Sequence, residues 1–536
     1  MAVAVALALA VLALGFPASA SPGAPTPVGH EWSQVENHGT SGAPIDTYWL
    51  GTTGTQALEL KVNGARVLRL EPPAGSPNVI GGYSGNSVTS GADDATIGGG
   101  GSSTSPNVVT DDGGTIGGGR GNWAGDDDQY LQDAQNATVG GGIWNHASGD
   151  NSVVGGGAQN WASDTEATVG GGAYNRAKDN YDTVGGGYGN VAGTGTGGGF
   201  SATVGGGDYN TASGDYATVG GGGRSVPWGD PATANRATDD YDTVGGGGGN
   251  HAGTGTNAAT YATICGGSDN EASDHFDTVG GGHHNIAQGP RATVPGGSDN
   301  SALGAYSFAA GRQAKANHDG SFVWADSNGK DLASTAANEF SVRSTGGARF
   351  VSGIDGAGVP NAGVTLAAGG NAWAPISDRN VKANFTEVDG RDVLQRLASV
   401  PVETWNLKSQ DASIRHMGPM AQDFYAAFGL GESETAITTV DADGVALAAI
   451  QGLYGLSQEQ GNRIQALEEE NASLNQRLDS LEARVSALEG GTGAGGAVST
   501  ASSSGVPALW PVLGGGLALV LVGLVLAQRR LLGGRR

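Results

Sequence analysis

Several residue types are scarce in this 536-residue chain, and each shortage excludes a class of protein. The single cysteine, Cys265, cannot form an intrachain disulfide or a cysteine-based zinc site, so burial, backbone pairing and association must stabilise the fold. Charged residues amount to 15% and aromatic residues to 6%, which fits neither a charge-rich disordered chain nor a conventional globular core. The net charge of −25 argues against nucleic acid or anionic lipid surfaces as partners for the bulk of the chain.

Glycine, in contrast, is abundant, with 99 residues, and it marks a repeat. The glycines form triplets instead of occupying every third position, which excludes a collagen triple helix. Over residues 78–325 the chain repeats a unit close to ATVGGGxxNxAxxxx, for example at 137–151 and 167–181. The step is mostly 15 residues, and it becomes 20 or 25 where a loop is inserted.

This repeat predicts a mainly β fold, built over residues 78–325 as a parallel β-solenoid or β-roll. One unit holds too few apolar residues to fill a core, whereas stacked coils place each valine and alanine above its copy and pair their backbones. The recurring asparagine tolerates tight turns and can form a ladder with its copy one coil away, so we interpret it as structural. Its copies are Asn145, Asn160, Asn175, Asn190, Asn210, Asn250, Asn270, Asn285 and Asn300.

The array resembles the head repeats of trimeric autotransporter adhesins, which form parallel β-rolls or solenoids on bacterial surfaces. The resemblance covers roughly half the chain, although the 15-residue period with asparagine and triple glycine departs from the usual head-repeat pattern. It implies a homotrimer, with a cell-surface glycan or a host surface as a possible ligand.

Both ends of the chain carry targeting signals. Residues 1–20 contain an apolar run followed by Ala-Ser-Ala, which predicts a signal peptide cleaved after Ala20. Residues 506–536 contain a 20-residue apolar stretch, 508–527, followed by arginines, which predicts a transmembrane helix with the N-terminal side outside the cell. The same pattern resembles bacterial C-terminal sorting signals, in which the span is later removed, so the ectodomain is either tethered or processed at a membrane.

Smaller elements precede and interrupt the repeats. Residues 21–77 are predicted to form an N-terminal β cap, because the stretch 58–70 alternates apolar and polar residues around Asn63-Gly64, a strong hairpin signal. The acidic triplet at 126–128 and the pair His283-His284 are interpreted as solvated turns, so neither a metal nor a cofactor is predicted. Cys265 replaces the first glycine of one repeat and is expected to be buried and inert.

A compact α+β domain is predicted at residues 372–456, after a β connector at 326–371. The segments ISDRNVK, RHMGPMAQDFYAAFGLG and TVDADGVALAAIQGLYGLSQEQ follow one another there. In this order they resemble the peptidase S74 domain, the intramolecular chaperone at the end of phage endosialidases, tail spikes and many bacterial surface fibres. In that family the domain assembles a trimeric fibre and then cuts itself off immediately before a serine.

The resemblance also implies the roles of individual residues. It makes Ser377 the nucleophile and Lys382 the general base of an autoproteolytic serine peptidase, with cleavage between Ile376 and Ser377. Asp378, His416 and Gly418 receive supporting roles. Many family members have asparagine where this chain has Asp378, and His416 could equally be a core histidine whose hydrogen bonds are satisfied.

The chemistry of the Ser377–Lys382 pair can be judged without the family. A serine hydroxyl needs a base to take its proton, and lysine acts as that base when burial lowers its pKa to about 7–8. Residues five apart lie on opposite faces of a strand and about 140° apart on a helix, so the pair can meet only across a turn or between subunits. The spacing alone fits a solvated lysine equally well, and the downstream segments are what favour autoproteolysis.

A coiled coil is predicted at residues 457–489, and a flexible Gly/Ser linker at 490–505. The apolar seam alternates steps of three and four residues through Ile464, Leu467, Asn471, Leu474, Leu478, Leu481, Val485 and Leu488. Leucine at every d position and one asparagine at an a position favour two strands, whereas the family resemblance implies three.

Two classes of function follow. The first is a secreted, membrane-tethered surface fibre, adhesin-like, whose enzymatic act is self-cleavage. The alternative is a fibre-borne polysaccharide hydrolase or lyase with a maturation domain. The loops at 193–200, 224–236 and 253–261 break the repeat, but they hold no convincing acid/base pair. Cleavage before Ser377 would separate the head from every anchoring segment, so residues 21–376 are expected to be shed or held by a separate attachment.

Overall fold

The computed structural model describes residues 51–490, apart from 53–54, 73–74, 127, 129, 197–198, 227–228 and 257. The described residues divide into two compact units, one reaching to Val351 and including Gly363–Ala374, the other formed by Ser352–Ala362 and the residues from Pro375 onward. Within this part of the chain, no helix combines the length and apolarity that crossing a bilayer requires. The predicted signal peptide, linker and transmembrane span lie outside the described residues.

The first unit confirms the predicted parallel β-solenoid, because each coil gives one short strand to each of two parallel sheets. One sheet, the valine sheet, contains Asn78–Gly81, Thr96–Ile97, Thr115–Ile116, Thr138–Val139, Val153–Val154, Thr168–Val169, Thr183–Val184, Thr203–Val204, Thr218–Val219, Thr243–Val244, Thr263–Ile264, Thr278–Val279, Thr293–Val294, Gly297–Ser298, Phe308–Arg312, Phe322–Ala325 and Phe340–Arg343. The other, the alanine sheet, contains Ser87–Val88, Val108–Val109, Trp123–Ala124, His146–Ala147, Trp161–Ala162, Arg176–Ala177, Val191–Ala192, Thr211–Ala212, Arg236–Ala237, His251–Ala252, Glu271–Ala272, Ile286–Ala287, Ser301–Ala302, Ala314–Ala316 and Leu332–Ala333.

Register in both sheets follows the repeat. Val139, Val154 and Val169 pair with one another in successive coils, and each is fully buried. The inserted loops leave this register intact, since Val184 pairs with Val204 across a 20-residue step. The valines and alanines of the two sheets therefore form one continuous core that runs the length of the solenoid. The last strands extend both sheets beyond residue 325, where the glycine signature has already faded.

The glycine triplet forms the tight corner between the two sheets. Gly157 has a φ of +92°, which favours glycine, and a Cβ atom at this position would lie 2.0 Å from the carbonyl oxygen of Gly172 in the next coil. The third glycine of the triplet therefore allows neighbouring coils to approach at strand spacing.

The recurring asparagine fastens this corner within its own coil and between coils. Asn160 Nδ2 donates hydrogen bonds to the carbonyl oxygens of Gly156 and Gly172, each at 2.8 Å. Its Oδ1 accepts a hydrogen bond from the backbone N–H of Asn175 at 3.0 Å. The side chain is fully buried, so it satisfies backbone groups that water cannot reach. The structural interpretation of the asparagines is confirmed. Most ladder bonds run from side chain to backbone, and Asn190, Asn270 and Asn300 also donate to the side-chain oxygen of the preceding copy.

Aromatic side chains form a second ladder on the outside of the solenoid. Tyr216, Tyr241, Tyr261 and Phe276 stack in four successive coils with ring centroids 5.1, 4.6 and 5.1 Å apart. The ladder continues through Arg291, whose guanidinium lies 5.3 Å from the centre of the Phe276 ring and 5.4 Å from that of the Tyr306 ring. Because ring faces are covered by neighbouring rings, the ladder adds to coil–coil attraction and leaves mainly ring edges to solvent.

Three coils replace a small core residue with a buried aspartate. Asp277 accepts hydrogen bonds from the backbone N–H groups of Asp274 and Ala292, each at 2.9 Å, and thereby ties its corner to the next coil. Burial raises the pKa of Asp277 and Asp242 to about 7 and that of Asp182 to about 6. These carboxyl groups therefore titrate near neutral pH.

The N-terminal hairpin is confirmed, and the expectation that Cys265 is buried is wrong. Leu58–Val62 pairs antiparallel with Ala65–Glu71, and the turn residues Asn63 and Gly64 have positive φ angles. Cys265 is exposed. It follows the buried Ile264 directly, and side chains alternate between the two faces of an extended segment, so its thiol points away from the core.

The second unit contains three helices: α1 (Gly390–Leu397), α2 (Ala421–Phe428) and α3 (Thr439–Gly490). Their small core consists of Val393, Phe424, Val445 and Ala449. A two-stranded hairpin pairs Glu403–Trp405 with His416–Gly418. This unit also contains the short 3-10 helix Arg379–Val381, whereas the 3-10 helix Pro231–Thr233 belongs to the first unit. The strands Ala348–Ile354, Pro360–Leu366 and Trp373–Pro375 form a three-stranded sheet.

Replacing one asparagine of the ladder should destabilise the solenoid. In Asn160→Ala, the carbonyl oxygen of Gly156 and the buried N–H of Asn175 lose this partner, while the carbonyl oxygen of Gly172 keeps the N–H of Ala158. We expect a loss of roughly 2–4 kcal/mol. Denaturant unfolding and hydrogen exchange of the flanking coils would measure it. The control Val153→Thr changes an outward-facing strand position to the residue found there in neighbouring coils, and it should shift stability by less than about 0.5 kcal/mol. Equal effects of both substitutions would contradict the structural role of the ladder.

Candidate functional site

The structure brings Ser377 and Lys382 together across a short turn. The 3-10 helix Arg379–Val381 follows Asp378, and the backbone N–H of Lys382 bonds to the carbonyl oxygen of Arg379 at its end. This turn reverses the chain, and Lys382 Nζ lies 2.7 Å from Ser377 Oγ, within hydrogen-bond distance. The sequence left two ways for this pair to meet, and the chain uses the turn.

Asp378 forms the N-cap of this turn. Its Oδ1 accepts hydrogen bonds from the backbone N–H of Asn380 at 2.9 Å and from Asn380 Nδ2 at 3.0 Å. A carboxylate at this position satisfies an N–H group that the short helix leaves unpaired. The structure therefore gives Asp378 a positioning role on the turn that separates the serine from the lysine.

The contact between serine and lysine fits proton transfer between them. As an ammonium group, Lys382 donates to Ser377 Oγ, and as a neutral amine it could accept the hydroxyl proton across the same contact. Both side chains are exposed in the single chain. Lysine works as a general base where burial removes its ammonium form from water, so any such burial must be provided by groups outside this turn.

His416 and Gly418 lie on one strand of the hairpin. The ring of His416 packs 4.9 Å from that of Trp405, and its Nε2 shares a 2.9 Å hydrogen bond with Gln410 Oε1. Among the described residues, no hydrogen bond joins His416 to Ser377 or Lys382. A Cβ atom at Gly418 would meet nothing within 4 Å. In the single chain, His416 therefore contacts Trp405 and Gln410 and not the Ser377–Lys382 pair, and the space beside Gly418 is open.

Helix α3 presents a long apolar seam to solvent, and sequence reasoning recognised only part of it. The predicted heptad positions from Ile464 to Leu488 are exposed on this helix, as expected for an unpartnered seam. The exposed apolar surface of α3 also includes residues nearer its start, which the polar stretch 457–463 separates from these heptad positions; they are Val440, Leu447, Ile450, Leu453 and Tyr454. Their spacing of three, four and seven residues was the available signal for a continuous helix from Thr439.

The cap at Asp378 offers a direct test of the turn. Asp378→Ala removes the acceptor for Asn380, and the loss of a cap worth about 1 kcal/mol should slow the predicted self-cleavage about fivefold. Asp378→Asn keeps an acceptor oxygen and should stay within about twofold of the parent rate. The rates would be measured by following product formation on gels over time. Equal rates for Asp378→Ala and Asp378→Asn would exclude a capping role.

Comparison with known proteins finds a family match over the segment that begins at Ser377. No curated protein matches the chain. Residues 377–429 match the peptidase S74 family, the chaperone of endosialidase, and the matched segment begins at Ser377. It contains the turn, helix α1, the hairpin and helix α2. The chain therefore carries, behind a long parallel β-solenoid, a segment that matches the peptidase S74 family.

Proposed function

We propose that this protein is a secreted, membrane-tethered trimeric surface fibre whose S74 segment chaperones assembly and then cuts the chain between Ile376 and Ser377. The observation that carries the proposal is the 2.7 Å contact between Ser377 Oγ and Lys382 Nζ, at the first residue of the family match. The β-solenoid supplies the fibre, since a stack of coils is an extended and rigid body.

The proposed cleavage is an acyl transfer followed by hydrolysis. Ser377 Oγ adds to the carbonyl carbon of Ile376 while Lys382 takes the hydroxyl proton. The C–N bond between the two residues breaks, and the nitrogen receives a proton, which leaves residue 376 attached to Oγ as an ester. Water then hydrolyses the ester and releases a carboxylate at Ile376 and a free amino group at Ser377.

Assembly is supported by the apolar surface of the second unit. Isolated soluble chains rarely expose a contiguous apolar patch as long as the seam of α3. We therefore infer that the seam packs against the same helix of another copy. The heptad spacing suits a parallel coiled coil. We favour three strands because the S74 resemblance implies a trimer, and a dimer is the competing outcome.

Coupling of cleavage to assembly follows from the exposure of the dyad. Ser377 and Lys382 face water in the single chain, whereas an active lysine base requires desolvation. Packing of neighbouring copies around the turn would provide that desolvation after the fibre has formed. The chain would thereby remain intact until its chaperone segment has done its work.

The order of segments decides what cleavage releases. Residues 21–376 hold the solenoid, and residues 377–536 hold the S74 segment, helix α3 and the predicted membrane span. Cleavage outside the cell would leave the head attached by noncovalent contacts alone, and it would be shed unless another attachment holds it. A permanent fibre is the outcome if cleavage is absent.

A polysaccharide hydrolase is less well supported. The acidic residues beside the inserted loops bond to the backbone: Asp179 accepts from the N–H groups of Thr194 and Gly195, and Asp239 accepts from that of Thr254. These carboxylates thus fix the loops in place. Binding of a glycan or a host surface by the head remains part of the proposal.

Removal of either member of the dyad should abolish processing. Ser377→Ala lacks the nucleophile and Lys382→Ala lacks the base, so both should leave a full-length chain and still assemble. Intact mass measurement of the protein recovered from cells would show whether the 377–536 fragment is present. The controls Ser409→Ala and Lys408→Ala change the same residue types at exposed positions of the matched segment and should cleave normally. Normal cleavage of Ser377→Ala would refute the site.

Disruption of the α3 seam should prevent both assembly and cleavage. Leu474→Lys combined with Leu481→Lys places two charges in the seam and should yield uncleaved monomers, because the dyad stays exposed. Sedimentation analysis and mass measurement would be made on the same sample. The control pair Ser473→Lys and Ser480→Lys adds the same charge next to the seam and should assemble and cleave. A cleaved monomer would contradict the coupling.

A further inference from the structure

Near the C-terminal end of the solenoid, four metal-ligating side chains meet at one corner of three successive coils. His283 and His284 come from the middle coil, Asp269 from the coil before it and Asp299 from the coil after it. The side chains are partly exposed and therefore accessible to an ion from solution. The sequence alone indicated only a solvated turn at this place.

The backbone holds these residues on a rigid frame. Asp269, His284 and Asp299 occupy equivalent positions, 15 residues apart, with φ angles of 55°, 52° and 59°. Ladder hydrogen bonds connect successive coils here: the N–H of His284 bonds to the carbonyl oxygen of Ser268, and that of Asp299 bonds to the carbonyl oxygen of His283. Neighbouring coils lie at strand spacing, about 4.8 Å, which brings side chains of adjacent coils within reach of one ion.

The ligand atoms already converge. One nitrogen from each histidine and one oxygen of Asp269 all lie within 4.8 Å of one another. His283 Nε2 is 4.0 Å from Asp269 Oδ2, and His284 Nδ1 is 3.7 Å from Asp299 Oδ1. The two imidazole rings face each other with centroids 4.2 Å apart. Small side-chain rotations would therefore bring three ligand atoms to the distances of about 2.0–2.2 Å found in zinc sites.

We propose that Asp269, His283 and His284 bind one Zn²⁺ ion or a similar borderline transition-metal ion, with Asp299 supporting the site. Two imidazoles and one carboxylate are a ligand set that suits zinc, with water completing a tetrahedron. Calcium and magnesium prefer all-oxygen sites, so the histidines select against them.

Asp299 fits the role of a supporting carboxylate. It faces the Nδ1 atom of His284 and can accept a hydrogen bond from that ring, the arrangement that orients metal-bound histidines. The hydroxyl of Ser298 donates a 2.6 Å hydrogen bond to Asp299 Oδ2.

A bound ion would cross-link neighbouring coils through its ligands. Its ligands belong to coils that are otherwise joined by backbone ladders and core contacts, so binding would stabilise the folded solenoid against opening at this point. The proposed site is independent of the cleavage dyad, and either could exist without the other.

Titration of the full-length, tag-free chain with Co²⁺ and with Zn²⁺ tests the site. After removal of metal by a chelator, we expect one equivalent of Co²⁺ to produce visible d–d absorption typical of a nitrogen- and oxygen-ligated ion, and Zn²⁺ to displace it. His283→Ala, His284→Ala and Asp269→Asn should each weaken binding by at least about tenfold, since the loss of a supporting group alone costs 10–100-fold. Zn²⁺ should also raise the melting temperature of the parent chain, but not that of the variants.

The control is His275→Ala, which removes another exposed histidine from the solenoid, one that contacts Thr260 and no carboxylate ligand of this cluster. It should bind Co²⁺ and Zn²⁺ as the parent does. Circular dichroism of every variant would show that the solenoid is folded. Unchanged binding in folded His283→Ala and His284→Ala, or the absence of a saturable one-equivalent signal in the parent, would overturn the proposal and leave a histidine–aspartate ion pair.

Discussion

The solenoid depends on one recurring interaction, the hydrogen bonding of a buried asparagine to the glycine corner. A coil of 15 residues contributes little more than a valine and an alanine to the core, which is too little to fix the chain by burial alone. The asparagine pairs the polar groups of the corner, and the glycines let adjacent coils approach closely enough to use it. The stacked coils that this interaction holds together set the positions of the inserted loops, the aromatic ladder and the histidine–aspartate corner.

The second unit follows a different physical logic. Its core is small, with Val393 and Phe424 among its few buried residues, and helix α3 offers solvent a long apolar seam. Under the proposed function, association with further copies would cover this seam and remove water from the dyad. In that proposal, the contact between Ser377 and Lys382 forms within one chain, and assembly is the step that makes it reactive.

Much of the solenoid was predictable because its determinants are local and repeated. A valine every 15 residues, a glycine triplet and an asparagine each specify the same corner many times, so single departures do not obscure the pattern. Cys265 shows the limit, since its residue type indicated burial while its place beside Ile264 turned it outward. The roles of His416 and Gly418 stay predictions, because the single chain gives neither a contact with the dyad.

The sequence by itself determined the repeat period, the stacking of valines and alanines in successive coils, and the hairpin, because each is encoded in residue spacing. It also singled out Ser377 and Lys382 as the candidate dyad, because they lie in a recognisable segment. Only the tertiary structure decided that Ser377 and Lys382 meet across a capped turn within one chain. It also decided that two histidines face aspartates from the adjacent coils. Such meetings depend on turn geometry, coil spacing and side-chain direction, which the spacing of residues along the chain does not specify.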